Sequence, residues 1–199
     1  FHYIFTRPQW KSWLVRGAFI IAAYSFVLAL HFLTALMGRP DLQAGLVVPG
    51  ALLAAMTAVY TGYLFAQAKA RDLWQNPLLP PHFLLQAALA GAAALVPLAS
   101  WLEPDLVRAL LWVLGGASLL HVLMVAGELT LTHATAHAHL AATEMLAGRY
   151  RTAFWVGALL AGVGILAPWI GPLASVAALA GLLAYEHAYV QSGQSVPLA

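Results

Sequence analysis

The chain has 199 residues, of which 8% are charged and 62% hydrophobic, and its mean hydropathy is +0.82. An average soluble domain carries roughly 25% charged residues, so this composition excludes a soluble fold and requires a membrane one. The net charge of +2 leaves no basic arm for nucleic acid. The absence of cysteine excludes disulfides, cysteine-ligated iron–sulfur clusters and c-type haem attachment within the chain.

Residues 1–16, FHYIFTRPQWKSWLVR, combine Tyr3, Trp10 and Trp13 with Arg7, Lys11 and Arg16, the make-up of an interfacial belt. Charge-free runs then cover 17–38, 42–68, 73–102, 109–127 and 152–185, each long enough for a helix of about 20 residues to cross a bilayer. The last run is interrupted by Pro168-Trp-Ile-Gly171-Pro172, which a continuous helix cannot accommodate, and it reads as a tight hairpin of two spans. The expected fold is therefore all-α, a polytopic transmembrane bundle with six helices near 12–37, 45–68, 82–101, 105–130, 151–168 and 172–190. The connections are short and no soluble domain can be cut out, so residues 1–199 read as a single transmembrane domain. The connection 131–150 is amphipathic and predicts a partly helical interfacial segment. Seven of the nine Lys and Arg residues fall at one membrane face in this topology, leaving Arg39 and Arg108 at the other, and the positive-inside rule puts both chain ends in the cytoplasm.

Polar groups inside a membrane are costly, and each is a functional candidate. Tyr60, Tyr63 and Gln67 fall at i, i+3 and i+7 on one face of the second span. A phenol there can hydrogen-bond the carbonyl or hydroxyl of a quinone against apolar walls; an interfacial tyrosine belt is the plainer alternative. Between the second and third spans lies QAKARDLWQNPLLPPH, Gln67 to His82, the densest polar stretch of the chain, with Lys69, Arg71, Asp72 and Trp74 packed together. Ser118, His121 and Glu128 share a face of the fourth span; Glu128 can carry protons or simply reach the interface. Glu186, at the end of the last span, can serve proton transfer or a partner contact, and His31 reads as a packed, hydrogen-bonded histidine. His133, His137 and His139 include an i, i+4 pair, but no Glu completes a zinc-hydrolase motif and no metal is expected. A di-haem fold needs about four mid-helix histidines in facing pairs, whereas only His31 and His121 lie mid-span, so no haem is expected either.

Four segments taken together, FHYIFTRPQWKSWLVRGAF, KARDLWQNPLLPPH, ELTLTHAT with HLAATEMLAGRY, and HAYVQSGQSVPL, resemble the NrfD-type family of polysulfide-reductase membrane subunits. Members typically have eight or more helices, so the chain resembles one lacking its first two. The resemblance implies a quinone or quinol site (menaquinone or ubiquinone) in the bundle of the family's first four helices, with no haem or metal in the membrane subunit. It also implies a neighbouring ferredoxin-like iron–sulfur subunit, and beyond it a molybdopterin catalytic subunit, in a prokaryotic cytoplasmic membrane. Tyr60 stands where the family's quinone-contacting tyrosine precedes an Arg-x-Leu-Trp turn, here Arg71 to Trp74. On this reading Tyr60, Tyr63 and Gln67 bind quinone. Lys69, Arg71, Asp72 and Trp74 dock the iron–sulfur subunit, and His121, Glu128 and Glu186 transfer protons. A non-redox anchor or proton-coupling subunit of a respiratory complex is the alternative.

Overall fold

The computed structural model describes residues 6–130 and 135–197. His133 and the first five residues of the FHYIF segment lie outside the described residues. Helices dominate, no strand occurs among the described residues, and six helices are long and apolar enough to cross a membrane. In chain order the helical elements are α1 (Trp13–Leu36), α2 (Pro40–Ala66), a 3-10 turn (Asp72–Gln75), α3 (Leu79–Leu102), α4 (Pro104–Thr130), and α5 (Ala136–Leu146). Then follow α6 (Arg151–Val163), a 3-10 turn (Gly164–Leu166), α7 (Ala167–Ile170) and α8 (Leu173–Ser195). The stretch Arg151–Ile170 forms one span, and α5 is the helix expected in the connection.

Boundaries move where prolines and caps decide them. α2 begins at Pro40 rather than near 45, because a proline at the first helical position lacks only an N–H that has no helical partner anyway, and Asp41 suits the positive helix end. α3 begins at Leu79 rather than near 82, since Pro80 and Pro81 fall in its first turn. That places His82 inside the helix. The expected break near 168–172 is present: α7 ends at Gly171, whose φ of +76° and ψ of −155° are open essentially to glycine alone. α8 runs on to Ser195, beyond the expected 190.

The chain forms two compact units, Phe1–Gln67 and Ala68–Ala199. In the first, α1 and α2 form a hairpin that turns at Gly38, with φ +62°. The Tyr60 ring packs directly on the backbone of Gly17, where any Cβ would overlap the ring. Trp13 stacks on Tyr63 with centroids 4.3 Å apart, and the Gln67 side chain accepts the Trp13 N–H at 3.0 Å, capping the start of α1.

In the second unit α3 pairs with α4 and α6 pairs with α8, while α3 and α5 also pack on α8. Its core is built of small and aliphatic residues, among them Leu89, Ala93, Val96, Leu114, Ala174 and Ala178. Polarity is inverted relative to a soluble protein. His82, Gln86, Ser118, His121, Ser175 and Ser192 are buried, whereas Leu159, Leu173 and Leu183 are more than 70% exposed. Lipid is as apolar as leucine, so helices associate by close packing rather than by hiding hydrocarbon. Gly157 of α6 and Gly181 of α8 show this: a Cβ on Gly157 would run into the backbone of Tyr185 and Gly181, and one on Gly181 into Ala161. Gly157→Ala is expected to cost about 1–3 kcal/mol through overpacking, read as a lowered unfolding temperature in detergent. Gly162→Ala, whose new Cβ meets only Val122 at 3.8 Å, is expected to leave it within a degree or two.

Candidate functional site

The polar interior of the second unit converges on one hydrogen-bonded chain. His82, in the first turn of α3 and 1% exposed, faces Glu128 near the end of α4, with Nδ1 and Oε1 3.0 Å apart. Its other nitrogen, Nε2, lies 2.8 Å from Nδ1 of His121, which is fully buried two turns deeper on α4. Seven residues separate His121 from Glu128, or about 10 Å along the helix axis at 1.5 Å per residue. Tyr185 of α8 closes the group, its ring 5.8 Å from His82 and 4.9 Å from His121 between centroids, with its hydroxyl beside Glu128.

The donors in this chain follow from the chemistry of imidazole. An ionised Glu128 only accepts, so His82 donates through Nδ1; neutral His82 then accepts at Nε2, so His121 donates through Nδ1. The lone pair of His121 Nε2 is left over, and this buried nitrogen has no hydrogen-bond partner. A proton delivered to it can move the two bridging protons one place each and emerge on Glu128, with all three groups neutral. The three side chains thus have two arrangements that differ by one proton carried about 10 Å. Ser118, one turn deeper on α4, also has a buried hydroxyl oxygen without a partner and lies against Gly164. Glu186 approaches the same cluster from α8, beside Gln86 and His82, and its Oε1 has no hydrogen-bond partner.

Glu128 also lines a cavity of about 440 Å³. Val125 and Leu129, Met145 and Phe154, and Tyr185 and Tyr189 make the sides; Asp72, Gln75, Asn76 and Thr135 supply the polar portion. Asp72 accepts a 2.6 Å hydrogen bond from the Thr135 hydroxyl, and Thr135 caps α5 by accepting the Ala138 N–H.

The loop between the units' helices is held down by its own side chains. Arg71 donates from Nη1 to the carbonyls of Gly193, Gln194 and Val196 at 3.3, 2.9 and 3.0 Å, so a cation satisfies the orphan carbonyls at the end of α8. Trp74 is buried and packs on Gly193, and the Tyr189 hydroxyl donates to the Leu73 carbonyl at 3.0 Å. Lys69 is exposed and Asp72 partly so. Of the four loop residues, Arg71 and Trp74 are thus engaged within their own unit, and Lys69 offers the free charge.

A scan against family models matches residues 1–196 to "Polysulphide reductase, NrfD". The chain belongs to the NrfD family. No curated protein and no solved structure matches it. Family and composition agree that this NrfD-family chain is an integral membrane protein and a membrane subunit of polysulfide-reductase-type complexes.

The structure brings together His121, Glu128 and Glu186, which the sequence nominated, and adds His82, Gln86, Tyr185 and Tyr189. Tyr60, Tyr63 and Gln67 sit together in the first unit. Ser118 and His121 share a buried face as their spacing required, and His31 is partly buried in the first unit. Among the described residues no group of three potential metal ligands occurs. His137 is partly buried, with no hydrogen-bond partner on either ring nitrogen, and His139 is exposed. His82 carried a usable signal: Pro80 and Pro81 mark a helix start, which turns the end of the loop into the first turn of a span.

Arg71→Met keeps the aliphatic stem and removes the donors. It is expected to speed hydrogen exchange across residues 190–197 about tenfold, the equivalent of one lost charged hydrogen bond of about 1.5 kcal/mol. The 151–163 helix should be unchanged in the same measurement.

Proposed function

We propose that this chain is the quinone-reactive membrane subunit of a respiratory oxidoreductase, exchanging electrons with an adjacent iron–sulfur subunit while its second unit moves protons. Family membership supports the class of complex. The observation that carries the proton role is the buried Glu128–His82–His121 chain, whose two proton arrangements connect the bundle interior to the cavity that Glu128 lines.

Oxidation of a quinol releases two electrons and two protons. The electrons pass to a ferredoxin-like iron–sulfur subunit and on to a molybdopterin catalytic subunit, in a prokaryotic cytoplasmic membrane. Tyr60 is the quinone contact in this reading, by its place before the Arg71–Trp74 turn, with Tyr63 and Gln67 beside it. The packing of Tyr60 on Gly17 and the stacking of Tyr63 on Trp13 hold both rings in fixed positions, as a site that must orient a planar ligand requires. Lys69 and Asp72 are the docking charges for the iron–sulfur subunit. Arg71 and Trp74 contribute by fixing the loop that presents them. Protons travel by way of His121, His82 and Glu128. Glu186 is a second acid beside His82.

The alternative, a proton-coupling subunit that binds no quinone, draws on the same relay, because the relay works without a ligand. Two substitutions in the assembled complex separate the readings. Tyr60→Phe is expected to lower quinol oxidation at least tenfold with subunit composition intact, about the loss of one hydrogen bond to the reacting group; unchanged oxidation removes the quinone assignment. His82→Phe keeps a buried ring and breaks the relay, and is expected to lower coupled turnover by about 100-fold. Full turnover with this variant removes the proton role.

A further inference from the structure

We infer that the cavity of about 440 Å³ in the second unit binds the headgroup of a quinol, with Glu128 accepting a hydrogen bond from one ring hydroxyl. This inference rests on the quinone-reactive reading above and adds a site separate from Tyr60, Tyr63 and Gln67.

The size fits, since small-molecule sites run from about 300 to 1,000 Å³. The shape of the chemistry fits better. Phe154, Tyr185, Met145, Val125 and Leu129 give a wall of aromatic, thioether and branched aliphatic groups suited to a planar ring. Glu128 belongs to the same lining. Its Oε1 is fixed by His82 at 3.0 Å, yet a carboxylate has about four lone-pair sites, so acceptor capacity remains on the cavity side.

In the relay arrangement that leaves Glu128 ionised, the carboxylate only accepts and so selects a ligand that donates, which favours the hydroquinone over the quinone. The lining also carries Asn76, an amide able to meet a second ring oxygen. Asn76 already uses its carbonyl oxygen on the Leu78 N–H at 3.0 Å, which leaves its NH₂ free to donate. A ring with two oxygens and an apolar body matches this lining. The carboxylate is not a surface charge: it is the terminal member of the buried relay, so a ligand held there lies one hydrogen bond from His82.

The site is tested on the purified complex with its native partners, using a short-chain azidoquinone reduced to the quinol and mapped by mass spectrometry after photolysis. The expected adducts lie in residues 136–146 and 173–195, and excess unlabelled quinol suppresses them. Leu129→Trp, which fills the cavity, is expected to abolish these adducts while any in 1–67 persist. Glu128→Gln is expected to weaken suppression by unlabelled quinol about tenfold, the effect of one lost charge-assisted hydrogen bond. Should either variant fail to assemble, suppression in the unsubstituted complex decides. Adducts confined to 1–67 overturn the cavity site and leave the quinone-reactive reading standing. Cavity adducts that excess quinol does not suppress, or that survive Leu129→Trp, overturn it as non-specific partition. Absence of suppressible adducts anywhere in the chain overturns both.

Discussion

The hydrogen bond between His82 and Glu128 fastens the first turn of α3 to the end of α4, and the rest of the second unit is arranged around it. A carboxylate inside a bundle with lipid-facing walls has no water to answer it, and its desolvation costs several kcal/mol unless a partner is built in. His82 is that partner, and by binding Glu128 it exposes its second nitrogen to His121. Three side chains from two helices thereby become one object with a direction. Everything packed on it, from Tyr185 to the wall of the cavity, takes its position from that requirement.

The same economy of partners explains the polar loop. In a soluble protein a run such as KARDLWQN would be read as surface. Here Arg71 closes the open carbonyls at the end of α8, Trp74 lies on Gly193, and Asp72 holds the cap of α5 through Thr135. The loop acts as a clasp on two elements of the second unit, α5 and α8, and also supplies part of the cavity lining. Within a few residues, Arg71 and Trp74 hold the loop, whereas Lys69 is exposed and Asp72 partly so.

Much of this was legible before any coordinates. Six spans followed from charge-free length, and the hairpin after residue 168 followed from two prolines around a glycine. His121 and Glu128, which the structure joins through His82, stood out from the cost of polarity in a membrane. His82 was hidden because proline is read as a breaker, whereas Pro80 and Pro81 stand where a helix begins and cost it nothing. Tyr185 and Tyr189 were passed over for a different reason. Tyrosines near a helix end look like an interfacial belt, and only packing against α3 and α4 turns them inward.

The sequence by itself determined that the chain is helical, membrane-bound and of the NrfD family, because length, hydropathy and motif order are properties of one dimension. It also determined which residues could carry charge or protons, since so few are polar. The tertiary structure alone decided which of them meet. His82 and His121 are 39 residues apart in sequence and 2.8 Å apart in space. Their pairing depends on how α3 lies against α4, a matter of side-chain packing between helices that no periodicity along either one encodes.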